Sequence, residues 1–173
     1  MKNTKKLTLS AILAALSVVL LLVGTLLSVV DLCALLLSSF IVLFAMMAVS
    51  GAYPWLLYAV TGLLSLLFVP DKLIPLIYLA FAGLYPLLKF RLDRLPRVLS
   101  WIFKELWFNA SLVGFTLLSL FVLTEGNGEL PLPLLIAGFV IMNVAFVLFD
   151  ITLKRFVRLY FNRLEARVSR FLK

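Results

Sequence analysis

Few side chains in this sequence could take part in chemistry, and those few lie within or beside long apolar segments. Glu105 and Asn109 are four residues apart, so they would share one face of a helix. Asn143 and Asp150 lie in a later apolar segment. Polar groups at such positions are costly in a bilayer and should face the protein interior or water. They could line a ligand cavity or a proton path. They could instead join two helices, as a bond between Asn109 and Asn143 would, and Asp150 could be a charge at the inner end of a span.

Other polar groups and aromatic rings lie near the ends of the apolar segments, where a ligand could bind from outside. The residues that we consider candidates for ligand binding are Asp31, Tyr78, Asn109, Asn127 and Asn143. The alternative is that Asp31 and the charges of the later loops only cap helices, as loop charges commonly do.

The sequence does not favour an enzyme. It has no histidine, which is the commonest metal ligand and general base, and no nucleophile beside a basic partner. Its single cysteine, Cys33, lies in an apolar segment and fits a packing role. Gly126 and Gly128 flank Asn127 without the strand and helix that surround a phosphate-binding loop. We therefore predict no catalytic residues, no metal site and no cofactor.

Long apolar segments dominate the chain and indicate membrane-spanning helices. Hydrophobic residues make up 64% of the 173 residues, which is too apolar for a soluble domain of this size. A helix that crosses the hydrocarbon core needs about 20 residues. We predict an all-α membrane protein with one transmembrane domain over residues 1–153. Its six spans should cover about 7–30, 32–50, 53–69, 73–88, 99–123 and 130–153.

The fourth of these spans should not be a regular helix. It contains Pro75, Gly83 and Pro86 within a few turns of one another. Proline removes a backbone hydrogen bond and kinks a helix, and glycine often accompanies such a kink. We therefore expect this span to be kinked or partly irregular.

The distribution of positive charge predicts the orientation of the helices. If both termini lie in the cytoplasm, all of the 16 Lys and Arg residues except Lys72 fall on the cytoplasmic side. The opposite side then carries Asp31, Asp71, Glu125 and Glu129. Cytoplasmic loops collect Lys and Arg, so we predict a multi-pass protein of the bacterial plasma membrane with both termini cytoplasmic. This clustering favours a role in topology over a nucleic-acid-binding surface.

Residues 154–173 form a basic cytoplasmic tail. Apolar residues recur there at three- and four-residue steps, and Lys and Arg fill the positions between them, which is typical of an amphipathic helix. The helix could lie on the anionic inner leaflet of the bilayer. It could instead extend the sixth span into the cytoplasm, or bind a partner.

The first predicted span has small residues that could contact another protein. Ala11, Ala14 and Ala15 lie in its cytoplasmic half, and Ala11 and Ala15 are four residues apart. Small side chains at this spacing let a neighbouring helix approach closely, and close packing is the main attraction between helices in lipid. The same residues could instead pack within this chain.

The segment Lys5–Leu16 resembles the first helix of the substrate-binding S components of energy-coupling factor transporters. These are small bacterial membrane proteins with six helices and cytoplasmic termini, whose first helix packs an alanine-xxx-alanine surface against a shared transmembrane T subunit. Ala11 and Ala15 match that pattern, and the segment Ala80–Lys89 is similar to proteins of the same kind. The resemblance implies a subunit that captures a vitamin or similar small molecule outside the cell and pairs with the T subunit and ATPase subunits. The residue signatures of the known biotin, riboflavin, thiamine and folate binders are absent, so the substrate stays open.

Two other functions are compatible with the sequence. The first is a scaffold for envelope assembly, similar to the rod-shape-determining D type, which would need no ligand cavity. The second is a small ion-coupled transporter that uses Glu105 and Asp150. A closed outer half without a pocket would favour the scaffold.

Overall fold

The computed structural model describes residues 3–27, 30–49, 51–123 and 132–164, and every regular element in these ranges is a helix. The predicted all-α fold is therefore confirmed for this part of the chain. The α-helices are α1 (Asn3–Leu27), α2 (Asp31–Ala48), α3 (Tyr53–Phe68), α4 (Leu73–Ile77), α5 (Leu84–Leu92), α6 (Arg97–Leu123) and α7 (Leu132–Leu159). A first π-helical segment, Tyr78–Ala82, lies between α4 and α5, and a second, Tyr160–Leu164, follows α7.

Four helices in the described ranges are long and apolar enough to cross a bilayer. They are Thr4–Leu27, Asp31–Ala48, Leu73–Leu92 and Pro133–Asn162. The third of them combines α4, the first π segment and α5, and is called the fourth span below because α3 precedes it. α3 is apolar but has only 16 residues, and α6 carries Lys104 and Glu105 in its first half. These helices are compatible with membrane insertion, whereas the count of six spans stays a prediction.

Three helices extend beyond the predicted ends of their apolar segments. α1 begins at Asn3 rather than near residue 7, α5 continues to Leu92, and α7 continues to Leu159. The added turns contain Lys and Arg, which are good helix formers although they are not apolar. Basic side chains in the last turn also interact favourably with the negative end of a helix, as Lys89 and Arg91 do in α5. Hydropathy therefore predicts the apolar part of each helix, but it does not predict where the whole helix begins or ends.

The fourth span contains the predicted irregularity. Pro75 lies in the first turn of α4, where a proline is tolerated, and the π segment begins three residues later, at Tyr78. The amide of Gly83 donates to the carbonyl of Tyr78 over 2.7 Å, which closes the wider ring of a π turn. A Cβ atom at Gly83 would collide with the rings of Tyr58 and Tyr78, so this close approach requires glycine.

One apolar core lies between α1, α2, α3 and the fourth span. Leu21 of α1, Leu57 of α3 and Tyr78 are fully buried there. Gly24 brings α1 close to α2, because a Cβ atom at this position would overlap the side chain of Ala34. Close approach through small residues is how helices commonly pack in membranes. This first core therefore holds the first four predicted spans together.

A second core joins the fourth span to α6 and α7. The rings of Phe108 and Phe146 are stacked, with their centroids 4.5 Å apart and their planes 6° apart. Phe81 lies against both rings, with its centroid 5.3 Å from that of Phe108 and 5.8 Å from that of Phe146. Tyr85 and Leu153 are fully buried in the same core. The packing of these rings fixes α5 against α6 and α7 and so positions the polar residues described below.

α7 continues past the predicted end of the sixth span. The helix is unbroken to Leu159, and the second π segment carries it to Leu164. The first part of the basic tail therefore extends the last span, which is one of the predicted arrangements. The rest of the tail, 165–173, and the predicted loop with Glu125, Asn127 and Glu129 lie outside the described residues.

Candidate functional site

An apolar cavity of about 470 Å³ lies between α2, the fourth span, α6 and α7. Most of its lining side chains are Leu, Ile, Phe, Met or Ala. The lining includes Leu32, Leu36 and Phe40 of α2, Ile77 and Phe81 of the fourth span, Phe108 and Phe115 of α6, and Met142, Ala145 and Phe149 of α7. All four elements therefore contribute apolar groups to one space.

Ser111 and Thr152 are the polar residues among those that line this cavity. The hydroxyl of Ser111 donates to the carbonyl of Trp107 over 2.9 Å, and that of Thr152 donates to the carbonyl of Leu148 over 2.7 Å. Both hydroxyl protons are thus used within their own helices, and neither is available to a ligand. The cavity can hold an apolar molecule, and its selectivity would come from shape.

The predicted ligand-binding residues that the structure describes do not line this cavity. Asp31 begins α2, and Tyr78 is buried in the first core. Asn127 lies outside the described residues. None of Asp31, Tyr78, Asn109 and Asn143 lines the cavity, and the structure brings only Asn109 and Asn143 together. The ligand contacts predicted from the sequence are polar residues. The apolar cavity was not predicted, because it forms only where four helices pack together.

Asn109 and Asn143 form a bond between α6 and α7. The Asn109 Nδ2 atom donates to the Asn143 Oδ1 atom over 3.1 Å and also contacts the carbonyl of Glu105 at 2.9 Å. The Asn143 Nδ2 atom donates to the carbonyl of Phe139 over 2.9 Å. Such bonds between membrane helices contribute about 0.6 kcal/mol on average. The pair therefore acts as the link between helices that its sequence positions suggested.

Asp150 of α7 is fully buried, and groups from three helices hold its carboxylate. The Tyr85 hydroxyl of α5 donates to the Asp150 Oδ1 atom over 2.7 Å, and the Lys89 ammonium, one turn further along, also donates to it. The Lys104 Nζ atom of α6 lies 3.5 Å from the same oxygen, and the Lys154 Nζ atom lies 2.8 Å from Oδ2. These partners offset the cost of removing a carboxylate from water.

Asp93, just after α5, supplies a second carboxylate at this place. It pairs with Lys104, and its Oδ2 atom lies 3.7 Å from the Lys89 Nζ atom. Lys89 and Lys104 are only 2% and 1% exposed, so both ammonium groups depend on these carboxylates for compensation. Three lysines around two carboxylates leave an excess of positive charge. We call this group the buried ion cluster: Lys89, Asp93, Lys104, Asp150 and Lys154.

Sequence reasoning did not find the buried ion cluster. It assigned Lys89 and Lys104 to the positive charge of the cytoplasmic side and left Asp150 between a functional role and a charge at the end of a span. One feature of the sequence pointed to the cluster. Tyr85, Lys89 and Asp93 follow at intervals of four residues, so they share one face of α5 and of the residue that caps it. The pairing itself joins residues that are 61 positions apart, as in Lys89 and Asp150, and spacing cannot predict it.

The alanines of α1 are divided between two faces. Ala11 and Ala15 are exposed beside Ile12 and Leu16, whereas Ala14 is 3% exposed and packs in the first core. Ala14 therefore does not belong to the surface that α1 offers to another helix. The small-residue surface predicted from the sequence reduces to Ala11 and Ala15.

The described ranges also limit other kinds of site. No group of three His, Cys, Asp or Glu side chains lies together there, as a metal site would need. The buried ion cluster joins α5, α6 and α7. Searches against models of protein families, curated proteins and solved structures find no match to this chain.

Proposed function

We propose that this chain is the substrate-binding subunit of a bacterial uptake transporter of the energy-coupling factor type. The apolar cavity carries the proposal, because it provides about 470 Å³ of space among α6 and three helical elements that are long and apolar enough to cross a membrane. Pockets for small molecules commonly measure about 300–1,000 Å³. A protein that acts only as a scaffold has no need of such a space.

The lining of the cavity favours a mainly apolar ligand, such as a lipophilic vitamin or a related micronutrient. The rings of Phe81, Phe108 and Phe149 offer faces and edges to an aromatic or unsaturated group. No charged side chain is among the described residues that line the cavity, so a charged part of the ligand would stay outside it.

The proposal includes six spans of the plasma membrane with both termini in the cytoplasm. Two segments, residues 89–104 from the end of α5 into α6 and residues 154–163 from the end of α7 onward, carry most of the Lys and Arg residues in the described ranges. These two regions lie together, because Lys89 and Lys154 both pair with Asp150. One end of the molecule is therefore strongly basic, which supports placing it in the cytoplasm.

Helix α1 would bind the transmembrane T subunit, which together with ATPase subunits would supply the energy for uptake. Ala11 and Ala15 are exposed on α1, four residues apart. Ile12 and Leu16 beside them are 59% and 48% exposed. Such a surface combines small residues for close approach with larger apolar groups for contact area.

Filling the cavity tests the binding function. We expect protein purified gently from its cells to carry a small apolar molecule that native mass spectrometry detects. Ala145→Phe places a ring in the cavity and should abolish this bound mass. Ala110→Phe is the matched control, since Ala110 is exposed on α6 and does not line the cavity; this variant should retain the molecule.

The same measurement separates the alternatives. If the wild-type protein carries no molecule, or if both variants retain it equally, the binding function is wrong and the scaffold function is favoured. An ion-coupled transporter is less well supported, because the Asp150 carboxylate is engaged by Tyr85 and lysines rather than open to a path.

A further inference from the structure

A second cavity, also of about 470 Å³, opens beside the buried ion cluster. It lies between the end of α5, the first turns of α6 and the C-terminal part of α7. Four cationic side chains and one carboxylate line it: Lys89, Arg97, Lys154, Arg158 and Asp93. We call this space the cationic cleft.

The carboxylates near the cationic cleft are already engaged. Asp93 pairs with Lys104 and Lys89, and Asp150, behind the wall, is held by the lysines of the cluster. Among the residues that the structure describes, neither Arg97 nor Arg158 has a carboxylate within 4 Å. The cleft therefore presents two guanidinium groups that the described part of the protein does not neutralise.

We propose that the cationic cleft binds a phosphate group, carried either by an anionic phospholipid or by a free phosphate ester. Guanidinium groups form paired hydrogen bonds with phosphate oxygens, and Lys154 at the wall adds a further positive charge. Arg97 is also the first residue of α6, whose N-terminal amides and dipole favour an anion at the same place. Ser100, in the first turn, adds a hydroxyl to the lining.

The position of the cationic cleft suits both sources of phosphate. It lies at the ends of helices that could span a membrane, and its lining includes Trp101 together with Phe90 and Val157. Tryptophan is enriched at the level of lipid headgroups, and the apolar members could contact a glycerol backbone. The cleft is also open enough for a soluble phosphate ester. This binding does not depend on what the apolar cavity holds.

Charge-matched variants of the full-length protein test the proposal. Arg97→Gln with Arg158→Gln removes two charges from the cleft. Arg94→Gln with Arg155→Gln removes one charge from the turn just before α6 and one from α7, at exposed positions outside the cleft. Native mass spectrometry in neutral detergent would titrate each protein with phosphatidylglycerol, with a phosphate-free neutral glycolipid of equal chain length, and with inorganic pyrophosphate.

We expect the wild-type protein to bind phosphatidylglycerol or pyrophosphate in preference to the glycolipid. The cleft variant should bind at least about tenfold more weakly, and the control variant should stay within about twofold of the wild type. Binding of phosphatidylglycerol alone would identify a lipid site, and binding of pyrophosphate alone would identify a site for a free phosphate ester; both results support the proposal.

Two results would overturn it. Equal weakening in both double variants would mean that diffuse surface charge attracts the anion, and no preference over the glycolipid would mean that the cleft is not a phosphate site. If the double variant does not fold, the single change Arg158→Gln at an exposed side chain replaces it. It should weaken binding about threefold relative to Arg155→Gln, and equal binding by these two would also overturn the proposal.

Discussion

Asp150 joins α5, α6 and α7 through its carboxylate. Its carboxylate is fully buried and is contacted by a tyrosine of α5 and by lysines of all three helices. Replacing one member of a buried ion pair typically costs about 3–5 kcal/mol, because the remaining charge stays buried without compensation. Here the buried ammonium groups of Lys89 and Lys104 would depend on Asp93 alone.

We therefore expect Asp150→Asn to lower the free energy of unfolding by about 3–5 kcal/mol, as measured by titrating micelles with a denaturing detergent. Asp71→Asn is the control, because Asp71 is exposed and its Oδ1 atom only accepts a hydrogen bond from the amide of Leu73, which asparagine can replace. The paired change Asp150→Leu with Lys89→Met keeps the charge balance and should lose less than Asp150→Asn. An equal or greater loss would show that charge balance is not the cause.

At the residue scale, the sequence shows which polar side chains lie in or near the apolar segments, but it does not predict most of the pairs that they form. The bond between Asn109 and Asn143 could be anticipated, because both amides lie within apolar segments and need partners there. Lys89 and Lys104 could not be anticipated as buried, because positive charge near the end of a span is usually solvated. Their burial follows from the aromatic packing of the second core, which brings α5 against α6 and α7.

At the scale of single elements, α1 offers a surface that can be tested independently. Ala11→Leu with Ala15→Leu replaces the two exposed small side chains of α1 with larger ones and should prevent the close approach of a partner helix. We expect co-purification with T and ATPase subunits to be lost while the protein itself stays folded. The control is Ala59→Leu with Ala110→Leu, two exposed alanines on other helices, which should leave the complex intact. An intact complex with the α1 variant would remove the role proposed for this helix.

The elements themselves were largely predictable from hydropathy and from proline and glycine. The all-helical fold follows from the apolar segments, and the irregular fourth span follows from Pro75, Gly83 and Pro86. The ends of α1, α5 and α7 were not predictable to the residue, because helix formation continues through basic residues that hydropathy treats as loop. Which face of a helix is buried was also inaccessible for α1, where Ala14 is internal and its neighbour Ala15 is exposed.

At the scale of the whole molecule, the proposed orientation predicts which turns an impermeant reagent can reach. Two exposed positions in short turns, Ala52 after α2 and Pro70 after α3, would lie on opposite sides of the membrane. In a Cys33→Ser background, Pro70→Cys should react with an impermeant maleimide in intact cells. Ala52→Cys should react only after permeabilisation, and reaction of Ala52→Cys in intact cells would contradict the orientation.

The first π segment affects how side chains of the fourth span pack in both cores. Tyr78 and Tyr85 are seven residues apart, which in an unbroken α-helix is about two turns and would aim both rings in nearly the same direction. Instead, Tyr78 lies in the first core, and Tyr85 lies in the second, bonded to Asp150. The wider π turn rotates the side chains that follow it about the helix axis, relative to those that precede it. Tyr78 and Tyr85 therefore face different cores because of a rotation built into a single turn, while Leu87, later in α5, still packs in the first core.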